Sequence, residues 1–141
     1  QSPAPGDRVL TLDTGDLRNW ESDTQTFDAD GTPTLRFKLY DDGRQETTLY
    51  YEDGVRASMI TVDAENSHNW STVDRVYEEN GQISQMVKIY DDGRIETTFF
   101  EDGVRASEVL EDPLNAVGWT RIDRTFDENG ELEFQDRQFD D

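Results

Sequence analysis

The chain repeats itself, and any fold it adopts must repeat with it. Trp20, Trp70 and Trp119 stand 50 and 49 residues apart. Seven residues after each comes another aromatic: Phe27, Tyr77 and Phe126. Each of these opens a string closed by glycine: Phe27-Asp28-Ala29-Asp30-Gly31, Tyr77-Glu78-Glu79-Asn80-Gly81 and Phe126-Asp127-Glu128-Asn129-Gly130. Thirteen residues further on stand Tyr40, Tyr90 and Phe139. The first two begin Tyr-Asp-Asp-Gly-Arg and run on to Glu-Thr-Thr at 46–48 and 96–98. Glu-Asp-Gly-Val-Arg-Ala-Ser then occurs at 52–58 and again at 101–107. One residue is lost just before it, where Leu49-Tyr50-Tyr51 becomes Phe99-Phe100. This is the tandem duplication of a unit of about 50 residues.

The register reaches both ends. Val9-Leu10-Thr11-Leu12-Asp13 aligns with Met59-Ile60-Thr61-Val62-Asp63, so residues 8–19 read as the tail of a unit. Residues 20–69 and 70–118 are whole units, and 119–141 is half of a third. Residues 1–7, with Ser2-Pro3-Ala4-Pro5-Gly6, read as an extended lead-in. A start at Gln1 without Met or apolar leader reads as a processed chain or a fragment. The stop at Phe139-Asp140-Asp141 precedes the Gly-Arg that would continue the unit. Either the natural protein continues or a neighbouring chain completes the architecture.

Within a unit, Asp, Asn and Gly supply the bent positions of hairpin turns, with Gly at positive φ after a type I turn. Between turns lie runs of Thr, Val, Ile, Tyr and Phe with period-two alternation. Leu35, Phe37 and Leu39 share one face, with Arg36 and Lys38 opposite. Ile83, Val87 and Ile89 take that face one unit later, and Ile95, Thr97 and Phe99 alternate likewise. No stretch carries a 3.6-residue stripe. The expected fold is all-β: an antiparallel meander of four-stranded units. About eleven strands are expected, near 8–12, 20–27, 34–40, 44–51, 55–62, 70–77, 83–90, 94–100, 104–110, 119–126 and 131–139. The apolar face needs a cover, which favours a curved or rolled sheet or pairing with another copy. Propeller-like blades are the alternative, although two and a half blades close no ring.

Composition sets the class. There are 33 acidic against 13 basic residues, a net charge of −20, and no cysteine. A chain so acidic repels phosphate backbones, which excludes nucleic acid as a partner. Without cysteine there are no disulfides and no thiolate metal sites. No run approaches the roughly 18 apolar residues of a membrane-spanning helix. Leu, Ile, Val and Phe make up only about a fifth of the chain, near the disordered range. Fifteen regularly spaced aromatics (3 Trp, 5 Tyr, 7 Phe) argue instead for a folded domain with a thin core. Of the 13 basic residues only Lys38 and Lys88 are lysine, an acidic, lysine-poor balance suited to salt-screened surroundings or to a secreted protein.

The turns at 27–31 and 126–130 resemble tyrosine–aspartate (YD) repeats, an aromatic, Asp, two variable residues and Gly, found in the secreted shells of Rhs-type bacterial proteins. Tyr77-Glu78-Glu79-Asn80-Gly81 is similar, while Tyr40-Asp41-Asp42-Gly43-Arg44 has one residue fewer before Gly. The hairpin array is also similar to MORN-type repeats. The resemblance covers three short windows. It implies a non-catalytic, extracytoplasmic bacterial β-scaffold serving as shell, stalk or adhesive surface, and transfers no active site. Calcium-binding RTX repeats need paired glycines, and the chain has no Gly-Gly.

Candidate chemistry is sparse. Successive turns of a meander alternate between edges, which gathers Asp28, Asp30, Glu52 and Asp53 at one edge and Asp41 and Asp42 at the other. Such oxygen clusters suit Ca²⁺, although Asp and Asn also sit at tips for turn geometry alone. The EF-hand pattern fails, because the third acidic position is missing after Asp30 and Leu39 occupies position twelve. No other cofactor is implied. His68 is the sole histidine, its counterparts are Arg18 and Val117, and no nucleophile or phosphate-binding motif accompanies it, so no enzyme is read. Trp20, Trp70 and Trp119 are read as packing at repeat junctions rather than as sugar platforms. Tyr50, Tyr51, Phe99 and Phe100 send consecutive rings to opposite faces and mark a contact surface. Arg44, Arg94, Arg56 and Arg105 recur near Glu46 and Glu96, which predicts cross-strand ion pairs.

The expectation is a secreted, cell-surface or periplasmic β-repeat module with a structural or adhesive role, contacting other protein chains or further copies of itself. A calcium- or carbohydrate-binding module is the first alternative. An accessory subunit of a larger extracytoplasmic complex is the second.

Overall fold

The computed structural model describes residues 8–140, so the lead-in expected over 1–7 lies outside the described residues. The strands are β1 (Arg8–Leu12), β2 (Trp20–Phe27), β3 (Pro33–Tyr40), β4 (Arg44–Tyr50), β5 (Arg56–Asp63), β6 (Trp70–Tyr77), β7 (Ile83–Tyr90), β8 (Ile95–Glu101), β9 (Val104–Glu111), β10 (Trp119–Phe126) and β11 (Leu132–Phe139). Every predicted strand is present, with bounds within a residue of those expected. There is no helix among the described residues. All eleven strands form one antiparallel sheet in chain order, with β1 and β11 at its open edges. Propeller blades are ruled out, because pairing runs through the join between units from β4 to β5 to β6 without a break. No strand contacts any but its neighbours in the chain. The sheet is a single open layer, neither closed into a barrel nor folded back on itself.

The duplication is visible as repeated register. Trp20 faces Tyr40, Trp70 faces Tyr90 and Trp119 faces Phe139, with an irregularity after each Trp and another before Phe27, Tyr77 and Phe126. The identical string Glu-Asp-Gly-Val-Arg-Ala-Ser nevertheless makes two different turns. In the first unit, Gly54 N–H donates to the Tyr51 carbonyl and Tyr51 N–H to the Val55 carbonyl, and only Gly54 has positive φ (88°). This is the bulged hairpin expected from sequence. In the second unit Asp102 (φ 52°) and Gly103 (φ 79°) are both left-handed between the paired Glu101 and Val104. That is a two-residue type I′ turn, for which Asp-Gly is well suited. The one-residue loss before the string shortens the loop, and the turn type follows loop length.

Partners in an antiparallel register point to the same side of the sheet. One face carries the rows Asp23–Lys38–Glu46–Thr61–Val73–Lys88–Glu96–Leu110–Ile122 and Gln25–Arg36–Thr48–Met59–Arg75–Met86–Thr98–Glu108–Arg124. The buried side chains of the strands belong to this face, including Thr48, Thr98, Val73, Tyr77, Ile122, Phe126, Asp23 and Glu108. A single layer has no second sheet to supply a core. The cover is made instead by long neighbours lying over short ones. The Arg56 guanidinium lies 4.7 Å from the Tyr77 ring centroid and that of Arg105 lies 3.9 Å from Phe126. The cation gains from the ring's negative face while its stem shields the ring from water. The opposite face holds Leu35, Phe37, Leu39, Val87 and Ile89. Among the described residues no second layer covers that face: the core sits on the ionic and aromatic side.

Asp23 shows how a unit adapts. It occupies the position of Val73 and Ile122 and is buried like them. Arg36, at the position of Met86, donates Nε to Asp23 Oδ1 (2.9 Å) and Nη2 to Oδ2 (2.5 Å). A bidentate ion pair in the first unit thus stands where the second has Val and Met. Arg36→Met alone leaves a buried carboxylate without its cation and is expected to cost about 1–3 kcal/mol. The double substitution D23V/R36M should restore stability to the parent level or above. Urea unfolding of the two variants checks this.

Candidate interaction surface

The long loops share a clasp that sequence reading did not single out. Asp13 accepts hydrogen bonds from the Leu17 and Arg18 N–H groups (3.1 and 2.8 Å). Asp63 does the same with Ser67 and His68 (2.9 and 2.8 Å), and Asp112 with Ala116 and Val117 (2.8 and 2.8 Å). Three residues after each Asp stands a left-handed residue: Asp16 (φ 51°), Asn66 (φ 56°) and Asn115 (φ 56°). Asp and Asn tolerate that conformation better than other side-chain-bearing residues. Each tryptophan follows the left-handed residue by four. The signal was in the sequence as Asp-x-x-Asp/Asn-x-x-x-Trp, three times over. The clasp joins the last strand of one unit to the first of the next.

The carboxylates proposed for Ca²⁺ fall on the two edges as expected, but they serve their own turns. Asp28 Oδ1 accepts from the Asp30 and Thr32 N–H groups (2.9 and 3.0 Å), and Asp53 Oδ1 from Val55 N–H (3.1 Å). Asp42 accepts from the Arg44 backbone (3.1 Å) and from Arg44 Nε (2.8 Å), and contacts His68 Nε2 at 3.2 Å. Lost hydration raises the Asp42 pKa, but these donors outweigh it and hold the carboxyl below its usual range. Asp41 moves the other way, pushed up by lost hydration and by Asp16, Asp13 and Asp42. Asp30 and Glu52 are exposed. Among the described residues no group of three or more His, Asp or Glu side chains is placed to hold a metal ion.

Trp20, Trp70 and Trp119 are half-buried at equivalent strand starts, each opposite an aromatic of the next strand. Other side chains lie against them: Arg18 lies 5.3 Å and Lys38 5.8 Å from the Trp20 ring, and the His68 ring stacks on Trp70 at 5.1 Å with a 5° interplanar angle. Arg44 and Arg94 lie over Tyr40 and Tyr90 at 4.3 and 4.6 Å. These arginines bind Asp42 and Asp92 (2.8 Å each) instead of the expected Glu46 and Glu96. Arg56 and Arg105 likewise cover Tyr77 and Phe126, with Arg105 near Glu108. The glutamates accept from tyrosine: Tyr40 Oη donates to Glu46 (3.0 Å) and Tyr90 Oη to Glu96 (2.8 Å). Partial burial, then the carboxylate, pushes both phenols up to about 12.

The aromatic pairs named as a contact surface divide between the faces. Tyr50 and Phe100 end on the buried face, opposite Arg56 and Arg105. Tyr51, the residue without a counterpart, leaves the strand and donates its hydroxyl to the Tyr77 carbonyl at 2.7 Å. Phe99 remains on the open face and is 42% exposed. It belongs to a larger field that the aromatic pairs alone did not reveal. Leu10, Leu12, Leu35, Phe37, Leu49, Ile60, Val76, Ile89 and Phe134 are exposed on that face too. The row Leu10–Thr24–Phe37–Thr47–Ile60–Asp74–Val87–Thr97–Val109 crosses its middle. From β2 to β5, and again on β7, the paired positions of this face carry no ionised side chain, and on β8 only the terminal Glu101 does. Charge on this face is held by Arg8 at the start of β1, Asp74 on β6, Glu101 at the end of β8 and Glu111, Arg121, Asp123 and Asp136 on β9–β11; the rest lies on the other face and at the turns.

No protein-family model matches the chain, and none of the curated proteins matches it. No helix among the described residues is long and apolar enough to cross a membrane.

Asp112→Asn removes one acceptor oxygen from a buried clasp and should cost about 1–3 kcal/mol in urea unfolding. A second expectation concerns alkali. Tyr40 and Tyr90 have folded-state values near 12, against about 10 when unfolded. The folded state therefore binds these protons more tightly. Their contribution to stability is complete below pH about 10 and is lost as pH rises towards 12. Absorbance titration at 295 nm should show a late ionising class, diminished by Tyr40→Phe and Tyr90→Phe.

Proposed function

We propose that the chain is a non-catalytic structural or assembly module that works outside the cytoplasm by presenting a broad β-face to other protein chains, further copies included. One observation carries this reading: an apolar face, free of charge over β2–β5, that the described residues leave uncovered. The eight strands from β1 to β8, at about 4.8 Å spacing with some six residues each at about 3.3 Å, make a predominantly apolar stretch of roughly 760 Å². A standard stable interface takes roughly 800 Å² from each partner. Apolar fields of that extent mark contact sites in soluble proteins. The surplus of negative charge, lying mostly on the other face, at the turns and on β9–β11, keeps free chains apart in dilute solution and leaves the β2–β5 stretch uncharged. The likeness of the turns to YD and MORN repeats points the same way, toward a secreted or surface scaffold.

Sedimentation velocity at increasing protein concentration and salt tests this. The wild-type chain should self-associate more strongly as salt screens its repulsion. F37D/F99D should weaken that association at least about tenfold, since it places two desolvated charges at the contact. A chain that stays monomeric at high salt and high concentration, and whose face binds no hydrophobic dye, would overturn the reading.

A further inference from the structure

One arginine of the covered face lacks the partners that its counterpart has. Arg75 on β6 and Arg124 on β10 hold equivalent places in their units. Arg124 faces Glu108 and Gln135, and both accept from it: Nη1 donates to Glu108 at 2.6 Å and Nε to Gln135 at 2.9 Å. Arg75 faces Met59 and Met86, neither of which offers an oxygen. It is half-buried and enters none of the ion pairs among the described residues. Arg18, Arg56 and Arg137 also lack an acid there, but each lies over a ring. A cleft of about 220 Å³ opens beside Arg75 over β4, β5 and β6, strands of the sheet interior paired on both sides. Thr61 and Val73 line it and are smaller than Leu110 and Ile122, their counterparts one unit on. Thr61 is 4% exposed, and its hydroxyl has no hydrogen-bond partner among the described residues. A buried hydroxyl left unpaired is costly, and an occupant that bonds it relieves the cost. Arg44, Glu46 and Trp70 complete the walls. Arg44 gives its Nε to Asp42, and its Nη groups bond no described residue. Glu46 takes the Tyr40 hydroxyl on Oε2, which leaves Oε1 without a donor.

We propose that this cleft binds a single uronic-acid ring, free or at the end of a glycan, with its carboxylate on Arg75 as Glu108 sits on Arg124. The comparison between units identifies the anion. The place that one unit fills with its own carboxylate is left in the other to a foreign one, held by charge-assisted hydrogen bonds. The remaining groups select what that carboxylate is attached to. Glu46 Oε1 accepts from ring hydroxyls, and Thr61 both donates and accepts. Trp70 and Met59 give the ring's C–H groups an apolar wall, the usual mix of a small-ligand site. Trp70 does this from its place at the repeat junction. Glu46 repels a second negative charge on the ligand, which disfavours phosphate esters and dicarboxylates, and the net charge of −20 opposes a polyuronate. The volume is small beside the roughly 300–1,000 Å³ of most ligand pockets and suits one ring.

The cleft lies on the face opposite the assembly surface, so either reading can fail without the other. Methyl β-D-glucuronide titrated into the isotope-labelled whole chain should give saturable NMR shifts at Thr61, Arg75 and the Trp70 indole. Methyl β-D-glucoside, with a hydroxymethyl group in place of the carboxylate, should bind at least about tenfold more weakly. Acetate, which has the charge without the ring, should also bind more weakly. Arg75→Gln should lose about tenfold for the glucuronide and melt like the parent, since its guanidinium bonds nothing in the fold. Met59→Glu supplies the missing carboxylate from within the chain. It should abolish binding while the melting temperature holds or rises, which separates an occupied site from a misfolded one. Equal binding of the glucoside or of acetate, tighter binding of an α-amino acid, or binding undiminished by Arg75→Gln or Met59→Glu overturns the proposal. So do shifts confined to other parts of the sheet, or no saturable binding.

Discussion

Every part of this molecule depends on backbone pairing between consecutive strands. A β-sheet with a second layer draws its cohesion from a core between layers. Here the layer is alone, and no strand touches any but its chain neighbours. The ladder hydrogen bonds and the side-chain rows that cross them are the whole framework. That explains the composition of the buried face. Short Thr and Val residues make the floor, and Arg, Lys, Tyr and Met reach over them from adjacent strands. Long amphipathic side chains serve where a packing sheet would otherwise be needed.

The same constraint partitions the chemistry. Cation–ring contacts and tyrosine–glutamate hydrogen bonds sit on one face because they are its lid, and most ion pairs join them there or at the turns, Arg121–Asp123 on the open face excepted. Arg36 with Asp23, Arg124 with Glu108 and Arg94 with Asp92 and Tyr90 are versions of one device. The other face keeps the period-two pattern of Leu, Val, Ile, Phe and Thr that sheets ordinarily turn inward. Its exposure follows from the absence of a second layer within the chain.

Much of the fold was legible in the sequence. The repeat fixes register, glycine-closed turns delimit the strands, and alternation excludes helix, so all eleven strands were located to within a residue. Four things were not legible, each for a physical reason. Which face is buried could not be read from hydropathy, because Arg56 over Tyr77 and Arg105 over Phe126 bury rings with charged residues. The split between two turn types at an identical heptapeptide depends on Tyr51, a residue outside it. The Asp13, Asp63 and Asp112 clasps were spelled out in the spacing but hidden among many carboxylates, where a buried acceptor and a solvated tip look alike. For the same reason Arg44 and Arg94 were assigned to the wrong acids: a turn Asp two residues away competes with a Glu across the strand.

The neighbour-only topology has a kinetic and mechanical consequence. Contacts between adjacent strands span short stretches of chain, so closing each loop costs little entropy, unlike in the sandwiches and closed barrels that make most all-β proteins slow. Such a ribbon assembles by zipping outward from any hairpin, and its free energy is nearly a sum over rungs. Loss of a rung at one end leaves the far end untouched, and fraying starts at the termini. Pulled across its strands, it would yield one hairpin at a time and close again when released.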